Sequence, residues 1–348
     1  MKEALTQHMQ PAPVGGGFEM EGYWVWCGSV IRAEDGRYHM FASRWPKRYP
    51  MHPGWLVASE VVRAVSDRPE GPYRFEEVVL PARGAQYWDG RATHNPHIIR
   101  WKDKYVLYYM GSTHPFDGLP EEEELTLESY RTIVARANKR IGVAIADQIT
   151  GPWKRLDKPV LDTRPDCFDN FLVSNPAPCV DEDGRIVLVY KSRSYKKPPY
   201  PKFLHGNMEF GVAVADRPEG PYRREMKTPL FTDPSVHFED PFIWKDQDGY
   251  NMIAKDMYGN VCGEKYGGLF ASSKDGIHWE FRRDFLMYSR RVLWDDGVVR
   301  EMGNLERPFI LFEDGKPAYA FFATSDGRDG KGFANCTKTW NMVIPLKP

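Results

Sequence analysis

The stretch DRPEGPY occurs twice without change, at residues 67–73 and again at residues 216–222, and it decides the fold. Degenerate copies stand at residues 147–153 (DQITGPW) and 273–279 (SKDGIHW). In these copies Asp or Pro opens a turn, Gly supplies a positive φ, and the following residues return to an extended strand. Each copy also follows a short apolar stretch. We therefore predict that the copies are turns between two strands of a repeated β unit.

A second repeated pattern marks the start of each unit, where a polar residue and Pro lead into a strand, a charged turn and a second strand rich in aromatics. It is found at residues 95–112, 175–192, 240–256 and 307–325, and without the Pro at residues 27–43. Asp-Gly pairs inside these segments are strong hairpin signals, and the surrounding Tyr, Phe, Val and Ile suit pleated surfaces. Five such openings predict an all-β, five-bladed β-propeller, with a β-sandwich as the alternative.

The predicted blades cover residues 22–82, 90–163, 172–232, 238–289 and 303–346 of a single domain that spans residues 1–348. A propeller is radially closed, so a chain of this length does not require a second domain. The segment at residues 339–346 (TWNMVIPL) is rich in β-branched and aromatic residues. We predict that it is a closing strand, which pairs within the last blade or with the first.

One segment departs from the β pattern, at residues 121–140 (EEEELTLESYRTIVARANKR). Acidic residues come early in it and basic residues late, as the helix dipole favours. We predict a short helical insertion in blade 2, either a lid or subunit contact near the propeller mouth or a solvated decoration. Its predicted apolar face consists of Leu125, Leu127, Tyr130, Ile133, Val134 and Ala137.

Composition excludes several classes of protein. The formal charge of −1 provides no basic excess for nucleic acid, and no run of eighteen apolar residues is present to cross a membrane. The five cysteines have no CxxC spacing, so neither a zinc site nor a disulfide framework is predicted. The first twenty residues lack the apolar core of a signal peptide. We expect a cytoplasmic protein, and an exported one whose signal has been removed stays open; the oligomeric state is not predicted.

Aligning the five openings on the residue before Pro separates repeated positions from variable ones. The aligned residues are Cys27, Asn95, Asn175, Asp240 and Arg307, and the residues just before them are Trp26, His94, Ser174, Glu239 and Glu306. Six positions before the aligned residue, an acid recurs in four blades, as Glu21, Asp89, Asp169 and Glu301. A duplicated acid behaves as a structural turn or cap does. Asp240 and Glu306 have no acidic counterpart in most other blades, which favours them for chemistry.

These motifs resemble those of the five-bladed β-propeller glycoside hydrolases of families 43, 32 and 117, and in particular an uncharacterised, sucrase-like branch. The resemblance is carried by Glu239-Asp240-Pro241, Glu306-Arg307-Pro308, Trp88-Asp89-Gly90 and the GPY and GPW turns, over roughly residues 20–346. It implies hydrolysis of a glycosidic bond in a plant- or algal-type oligosaccharide by paired carboxylates in the central funnel. The order of the acids departs from those families, in which the catalytic Asp lies on the first blade.

Two carboxyl groups must flank the sugar, one protonated and one ionised. We predict Glu306 as the general acid, Asp240 or Glu239 as the base, and Asp89 as a residue that holds substrate or tunes the acid. The structural alternatives are an ion pair for Glu306, a turn cap before Pro241 for Asp240, and a structural cap for Asp89. The predicted substrate-binding residues are Trp26, His94, Asn95, Asn175, Lys191, Lys255 and Arg307.

Two other functions stay open at this stage. A glycoside phosphorylase would need a basic phosphate pocket, for which Arg44, Lys191, Lys255 and Arg307 are candidates. A non-catalytic carbohydrate-binding propeller would keep the aromatics and tolerate neutralised acids. No metal ligand set and no cofactor are predicted, although a structural calcium ion in the central channel stays open. The expected partner is an oligosaccharide or glycoside.

Overall fold

Five antiparallel sheets, each built from consecutive segments of the chain, form the blades of a β-propeller in the computed structural model, which describes residues 3–118, 124–195, 205–327, 332 and 336–347. The innermost strands of neighbouring blades contact one another in chain order, and the innermost strand of the fifth blade contacts that of the first. The ring of blades is therefore closed, and the predicted five-bladed propeller is confirmed.

The strands of each blade run outward from the channel in chain order. Blade 1 contains β1 (Tyr23–Arg32), β2 (Tyr38–Pro46), β3 (Glu60–Ser66) and β4 (Arg74–Leu80). Blade 2 contains β5 (Ala92–Trp101), β6 (Lys104–Ser112), β7 (Arg140–Ala146) and β8 (Lys154–Arg155). Blade 3 contains β9 (Leu172–Val180), β10 (Ile186–Arg193), β11 (Glu209–Ala215) and β12 (Arg223–Arg224). Blade 4 contains β13 (Phe238–Asp246), β14 (Gly249–Asp256), β15 (Gly268–Ser273) and β16 (Glu280–Phe281). A hairpin of β17 (Arg291–Leu293) and β18 (Val299–Glu301) precedes blade 5, which contains β19 (Asn304–Glu313), β20 (Lys316–Ser325) and β21 (Thr339–Pro345).

The repeated heptapeptide is the turn between the third and fourth strands of a blade. It joins β3 to β4 in blade 1 and β11 to β12 in blade 3, and its degenerate copies join β7 to β8 and β15 to β16. Gly71, Gly151 and Gly220 have φ values of 84°, 89° and 85°, a conformation that a side chain disfavours. The repeated sequence therefore reflects the backbone conformation that the turn requires, as its residue types predict.

The N-terminal segment completes the fifth blade. β21 pairs with β20 along its whole length, so the prediction of a closing strand is confirmed. On its other side, Phe18 and Asn341 exchange two backbone hydrogen bonds of 2.9 Å each. A Cβ atom added at Gly17 would lie 1.9 Å from the carbonyl oxygen of Asn341, which explains the glycine at this close approach. The two ends of the chain therefore meet in one sheet.

Two short α-helices lie side by side on the mouth end of blades 1 and 2. α1 (Met51–Ala58) follows β2, and α2 (Tyr130–Ala137) follows β6, where the helical insertion was predicted; a 3-10 turn (Leu5–Gln7) lies near the N-terminus. Leu56, Leu125 and Ala135 form a small apolar cluster between the helices. The predicted apolar face of α2 is wrong in part, because Tyr130 and Ile133 are exposed. Residues 121–123 of the predicted segment lie outside the described residues.

The core lies between neighbouring blades. Between blades 4 and 5, for example, the rings of Phe242 and Phe309 meet edge to face at 5.2 Å. Within the described ranges no helix is long and apolar enough to cross a membrane.

Candidate active site

Every innermost strand is interrupted by a bulge at the aligned position. The register of the strand pair shifts there in all five blades. The aligned residues have left-handed φ values of 50° to 60°, and they are Cys27, Asn95, Asn175, Asp240 and Arg307. Asn and Asp tolerate this conformation, whereas Cys and Arg adopt it at a cost. Five equivalent bulges show that the sequence alignment of the openings is correct, and they place strained backbone around the channel.

The five aligned residues form a ring around the channel, one from each blade. The Cys27 thiol donates to Asn95 Oδ1 at 2.8 Å, Asn95 Nδ2 donates to Asn175 Oδ1 at 2.7 Å, and Asn175 Nδ2 donates to Asp240 Oδ1 at 2.6 Å. The backbone N–H of Arg307 then donates to Asp240 Oδ2 at 3.3 Å. Both oxygens of Asp240 are therefore engaged by the ring.

A cavity of about 510 Å³ lies at the mouth of the channel, and four of the five residues that precede the ring line it: Trp26, His94, Glu239 and Glu306. All of the predicted site residues except Asp89 lie along it: Trp26, His94, Asn95, Asn175, Lys191, Glu239, Asp240, Lys255, Glu306 and Arg307. A larger cleft, of about 880 Å³, lies at the opposite end of the propeller beside the β13–β14 turn. The cavity at the mouth is the better candidate because it alone, of these two, brings carboxyl groups together with the channel.

Lys255 joins the three acids of the cavity. Its Nζ lies 2.9 Å from Glu239 Oε2, 2.8 Å from Glu306 Oε1 and 3.6 Å from Asp240 Oδ2. Lys255 is the cross-strand partner of Glu239 in blade 4, and its side chain is almost fully buried. Lys191, from β10 of blade 3, also forms an ion pair with Glu239. The network therefore connects blades 3, 4 and 5.

The surroundings drive the two glutamates toward opposite protonation states. Burial raises the pKa of Glu239, but the charges of Lys191 and Lys255 outweigh burial and hold this pKa well below its usual range. Burial also raises the pKa of Glu306, and the charges of Asp240 and Glu239 raise it further against the opposing effect of Lys255. Glu239 is thus an ionised carboxylate, while Glu306 retains its proton to a higher pH. Such divided pairs are typical of acid and base residues.

An aromatic wall faces these acids across the cavity. The His94 ring stacks on Trp55 at 4.6 Å and meets Trp45 edge to face at 5.7 Å, and both Trp residues line the cavity. His94 Nδ1 and Ser59 Oγ are 2.8 Å apart. Burial lowers the pKa of His94 well below its usual range, so it is a neutral ring. Flat apolar faces beside polar groups suit the binding of a sugar.

Asp89 is the one predicted site residue that the structure contradicts. Its side chain is fully buried away from the cavity, where Oδ1 accepts from Arg83 Nε at 2.6 Å and Oδ2 accepts from Tyr109 at 2.7 Å. Asp169 repeats this arrangement in blade 3 with Arg164 and Tyr190. In blades 2 and 3 the acid six positions before the ring is therefore a structural group, and the prediction that Asp89 holds substrate or tunes the acid is wrong.

Arg44, a candidate for the phosphate pocket, also lies elsewhere. Its Nη2 pairs with Glu60 Oε1 at 2.8 Å, and its guanidinium covers the ring of Tyr23 at 4.3 Å. The sequence did not indicate that Arg44 lies outside the cavity, because its partners, Glu60 and Tyr23, come from neighbouring strands of the same blade. Arg44 stabilises blade 1 and does not contribute charge to the cavity.

Several lining residues were missed from the sequence. Met51 and His52 come from α1, and Met257, Lys265 and Tyr266 come from the loop after β14. The loop is held by Asp256, which accepts four backbone N–H bonds from residues 258–262. The glycines at positions 259, 263, 267 and 268 favour a loop, but they do not indicate that its charged and aromatic side chains reach the cavity.

Among the described residues, no group of three or more His, Cys, Asp or Glu side chains is placed to hold a metal ion. The expectation that no cofactor is needed stays a prediction.

Comparison with known proteins agrees with this fold. A β-xylosidase of Xylanibacter ruminicola is 38% identical over 146 residues, which are 40% of this chain and 39% of that protein, so the match spans about two fifths of the relative's length. No family model matches the chain. A family 117 glycoside hydrolase of the marine bacterium Zobellia galactanivorans superposes with a TM-score of 0.64 and 16% identity over 97% of this chain and 89% of that one. A GH43_1 enzyme of Xanthomonas citri superposes with a TM-score of 0.59 and 16% identity over 98% and 91%. The resemblance to five-bladed propeller glycoside hydrolases is therefore confirmed for the fold.

Proposed function

We propose that the protein is a glycoside hydrolase in which Glu306 is the general acid and Glu239 is the carboxylate that acts on the anomeric carbon or its attacking water. The observation that carries this proposal is the pair of glutamates on one ammonium group, Lys255, with opposite pKa directions. The partial match to a β-xylosidase and the likeness to glycoside hydrolases of families 43 and 117 support the same reaction class.

The spacing of the two acids supports a double displacement. Because Glu239 Oε2 and Glu306 Oε1 lie 2.9 and 2.8 Å from the same nitrogen, these two oxygens are at most about 5.7 Å apart. Retaining glycosidases place their carboxyl groups roughly 5 to 5.5 Å apart, whereas inverting ones need roughly 6.5 to 9.5 Å for an intervening water. This bound on one pair of oxygens lies nearer to the retaining spacing, so we propose Glu239 as the nucleophile rather than as a base.

The proposed reaction has two steps. In the first, Glu306 donates its proton to the glycosidic oxygen as the carbon–oxygen bond breaks, and a Glu239 oxygen bonds to the anomeric carbon. In the second, the ionised Glu306 takes a proton from water, the hydroxyl bonds to the anomeric carbon, and Glu239 is released as a carboxylate. Lys255 contacts both groups, so it stabilises the negative charge on whichever glutamate carries it.

Asp240 has a different role in this proposal from the one predicted. Both of its oxygens accept hydrogen bonds within the ring, and it lies 3.6 Å from Lys255 Nζ. Its charge raises the pKa of Glu306. We assign Asp240 as a positioning residue that holds Lys255 and the protonated state of Glu306, with no proton transfer of its own.

The substrate class follows from the resemblance and the cavity. The rings of Trp26 and Trp55 line the same cavity as the carboxyl groups, and flat apolar faces of this kind suit the binding of a sugar. A plant- or algal-type oligosaccharide is the proposed substrate, supported by the partial match to a β-xylosidase.

The test is turnover of aryl glycosides and plant and algal oligosaccharides, with and without phosphate, with products identified by mass spectrometry. We expect wild-type protein to release a sugar, and Glu306→Gln and Glu239→Gln each to lose at least about a hundredfold in kcat/KM on natural linkages. Glu209→Gln is the matched control, because burial also raises the pKa of Glu209 although it does not line the cavity.

The outcomes separate the three functions considered. Turnover that requires phosphate would identify a phosphorylase. Sugar binding without turnover, unaffected by either substitution, would identify a carbohydrate-binding propeller. Activity retained in both glutamate variants would contradict the assignment of the acids.

A further inference from the structure

Four basic side chains gather beside the cavity, where blades 2 and 3 meet, and one of them, Lys191, lines it. Lys191 lines the cavity from β10, and Arg193 lies two residues further along the same face of that strand. Arg136 belongs to α2, and Lys139 follows that helix. We call these four residues, Arg136, Lys139, Lys191 and Arg193, the basic wall.

Contacts within the described residues hold the basic wall together without neutralising it. Arg193 Nη1 lies 2.7 Å from His205 Nδ1, and Arg136 Nη1 lies 3.5 Å from His205 Nε2. Burial lowers the pKa of His205 to about 4, so this histidine is neutral and adds no negative charge. Lys139 is almost fully buried, with Nζ 5.1 Å from the ring centre of Trp55, which itself lines the cavity.

One acid acts on all four residues. Burial lowers the pKa of each member of the basic wall, and Lys191, Arg136 and Arg193 lower the pKa of Lys139 further. The charge of Glu239 raises the pKa of each of the four residues, but Glu239 already forms ion pairs with Lys191 and Lys255. Buried positive charge without a matching anion is unfavourable. The basic wall therefore favours an additional negative group.

Arg307, on the channel side of the cavity, provides a second indication that a negative group binds there. Arg307 lines the cavity and is 7% exposed, and within the described part of the chain its buried Nη1 has no hydrogen-bond acceptor. The nearest carboxylate oxygen, Asp240 Oδ1, is 3.8 Å away. A ligand oxygen that enters the cavity would satisfy this donor.

We propose that the cavity beside the basic wall is a subsite for an acidic sugar, one that carries a carboxylate or a sulfate ester next to the bond that Glu239 and Glu306 cleave. In this subsite the negative group contacts Lys191, and Arg136, Lys139 and Arg193 act on it from behind the cavity lining. The inference rests on the proposed function, because Lys191 lines the same cavity as those glutamates and pairs with Glu239. Guanidinium groups match the planar pair of oxygens on a carboxylate, and a lysine ammonium group adds positive charge with less restriction on the geometry of the contact. Neutral sugars would use the aromatic wall but leave the basic wall uncompensated.

The test measures binding rather than turnover. Calorimetric titration of the Glu306→Gln protein would compare matched methyl glycosides: glucose with glucuronic acid, galactose with galacturonic acid, mannose with mannuronic acid, and galactose with its 6-sulfate. We expect at least about tenfold tighter binding of the acidic member in one or more pairs. Equal affinity within every pair, including no measurable binding, would overturn the proposal. A preference confined to the sulfate would identify the group as a sulfate ester.

Substitutions locate the effect. Lys139→Met and Arg136→Met should each reduce the preference for the acidic sugar by about tenfold and leave the affinity for its neutral partner unchanged. Lys227→Met is the control, since Lys227 is an exposed lysine away from the cavity. Melting curves recorded beforehand would show that each variant is folded. If both variants kept the full preference, the basic wall would not be the subsite.

The two proposals fail separately. An acidic-sugar preference that depends on Lys139, in a protein that hydrolyses no glycoside, would leave the subsite standing and reject the hydrolase. Hydrolysis of neutral glycosides without any preference for acidic sugars would support the hydrolase and reject the subsite. Inorganic phosphate is a further probe: turnover that requires phosphate, together with loss of phosphate binding in Lys139→Met, would reject the acidic sugar in favour of phosphorolysis.

Discussion

Replacing Lys255 with Met tests whether this ammonium group holds the cavity together. Methionine has nearly the same length but no charge, so the change removes contacts of 2.8, 2.9 and 3.6 Å to Glu306, Glu239 and Asp240. Removing one partner of a buried ion pair typically destabilises a protein by about 3–5 kcal/mol, because the other charge is left uncompensated. With three carboxyl groups around one lysine, we expect the Lys255→Met variant to lose at least that free energy of unfolding at pH 7.

The loss should depend on pH in a defined direction. Burial lowers the pKa of Lys255, but Glu239, Glu306 and Asp240 outweigh burial and raise it well above its usual range. Its stabilising contribution is therefore complete below pH about 10.5 and is lost as pH rises through the folded-state pKa. The lowered pKa of Glu239 contributes stability above pH about 4.5, which is lost as pH falls through its folded value. The difference between wild type and variant should thus shrink as pH falls from 7 to 4, because Glu239 without Lys255 takes up its proton at a higher pH in the folded variant than in the folded wild type.

The assay is urea unfolding at pH 7 and pH 4, extrapolated to zero denaturant. Lys191→Met is the informative comparison, since Lys191 contacts Glu239 and leaves the Lys255 contacts in place; we expect a smaller loss. Lys227→Met controls for removal of an exposed lysine. The electrostatic account of the cavity would be wrong if the free energy of unfolding of Lys255→Met at pH 7 were within about 1 kcal/mol of the wild-type value. It would also be wrong if the loss in free energy of unfolding were the same at both pH values.

Four shorter predictions follow from the same structure. In the pH profile of kcat/KM on an aryl glycoside with a good leaving group, the basic limb should disappear in Glu306→Gln, because it reports the raised pKa of that residue; a retained limb would assign it elsewhere. NMR of the first product should show the anomer of the substrate retained, and an inverted product would contradict Glu239 as the nucleophile. Asp89→Asn should lower the free energy of unfolding by about 3 kcal/mol at unchanged KM, and a change confined to KM would return Asp89 to the site. Deleting residues 339–348 should abolish cooperative unfolding, because β21 pairs with β20 and with Phe18; an unchanged melting transition would contradict this closure.

The fold was predictable because its signals are local and repeated. The turn of residues 67–73 needs a glycine with positive φ, and the same requirement recurs in blades 2 and 3. α1 was not predicted because its sequence, MHPGWLVA, contains Pro and Gly, which disfavour helix, and His52 and Pro53 indeed depart from helical φ and ψ. In α2 the exposed Tyr130 and buried Arg131 reverse what apolar periodicity predicts. Arg131 is buried because its guanidinium donates to the carbonyl oxygen of Asp117 and lies over the Phe116 ring.

Within the site, the sequence identified which positions vary but not which side chains meet. The alignment correctly grouped the five bulge residues, because each blade has the same backbone requirement there. It could not separate Asp240 from Glu239, since the partners that distinguish them, Asn175 and Lys191, come from another blade. It also could not place Asp89, whose partners Tyr109 and Arg155 lie 20 and 66 residues away.

A bulge in each innermost strand explains how a repeated fold acquires one specific site. The left-handed residue of each bulge joins the ring, so at that position selection acts on hydrogen bonding between blades, as in the chain of Cys27, Asn95, Asn175 and Asp240. The residue before it lies outside this chain of hydrogen bonds and varies between blades, although Ser174 donates to Asn175 of the ring and His94 Nε2 lies 3.7 Å from the Cys27 sulfur. Glu239 and Glu306 occupy this position in adjacent blades, where Lys255 reaches both. Substitution there should therefore change the chemistry while the ring, and with it the closure of the five blades, is preserved.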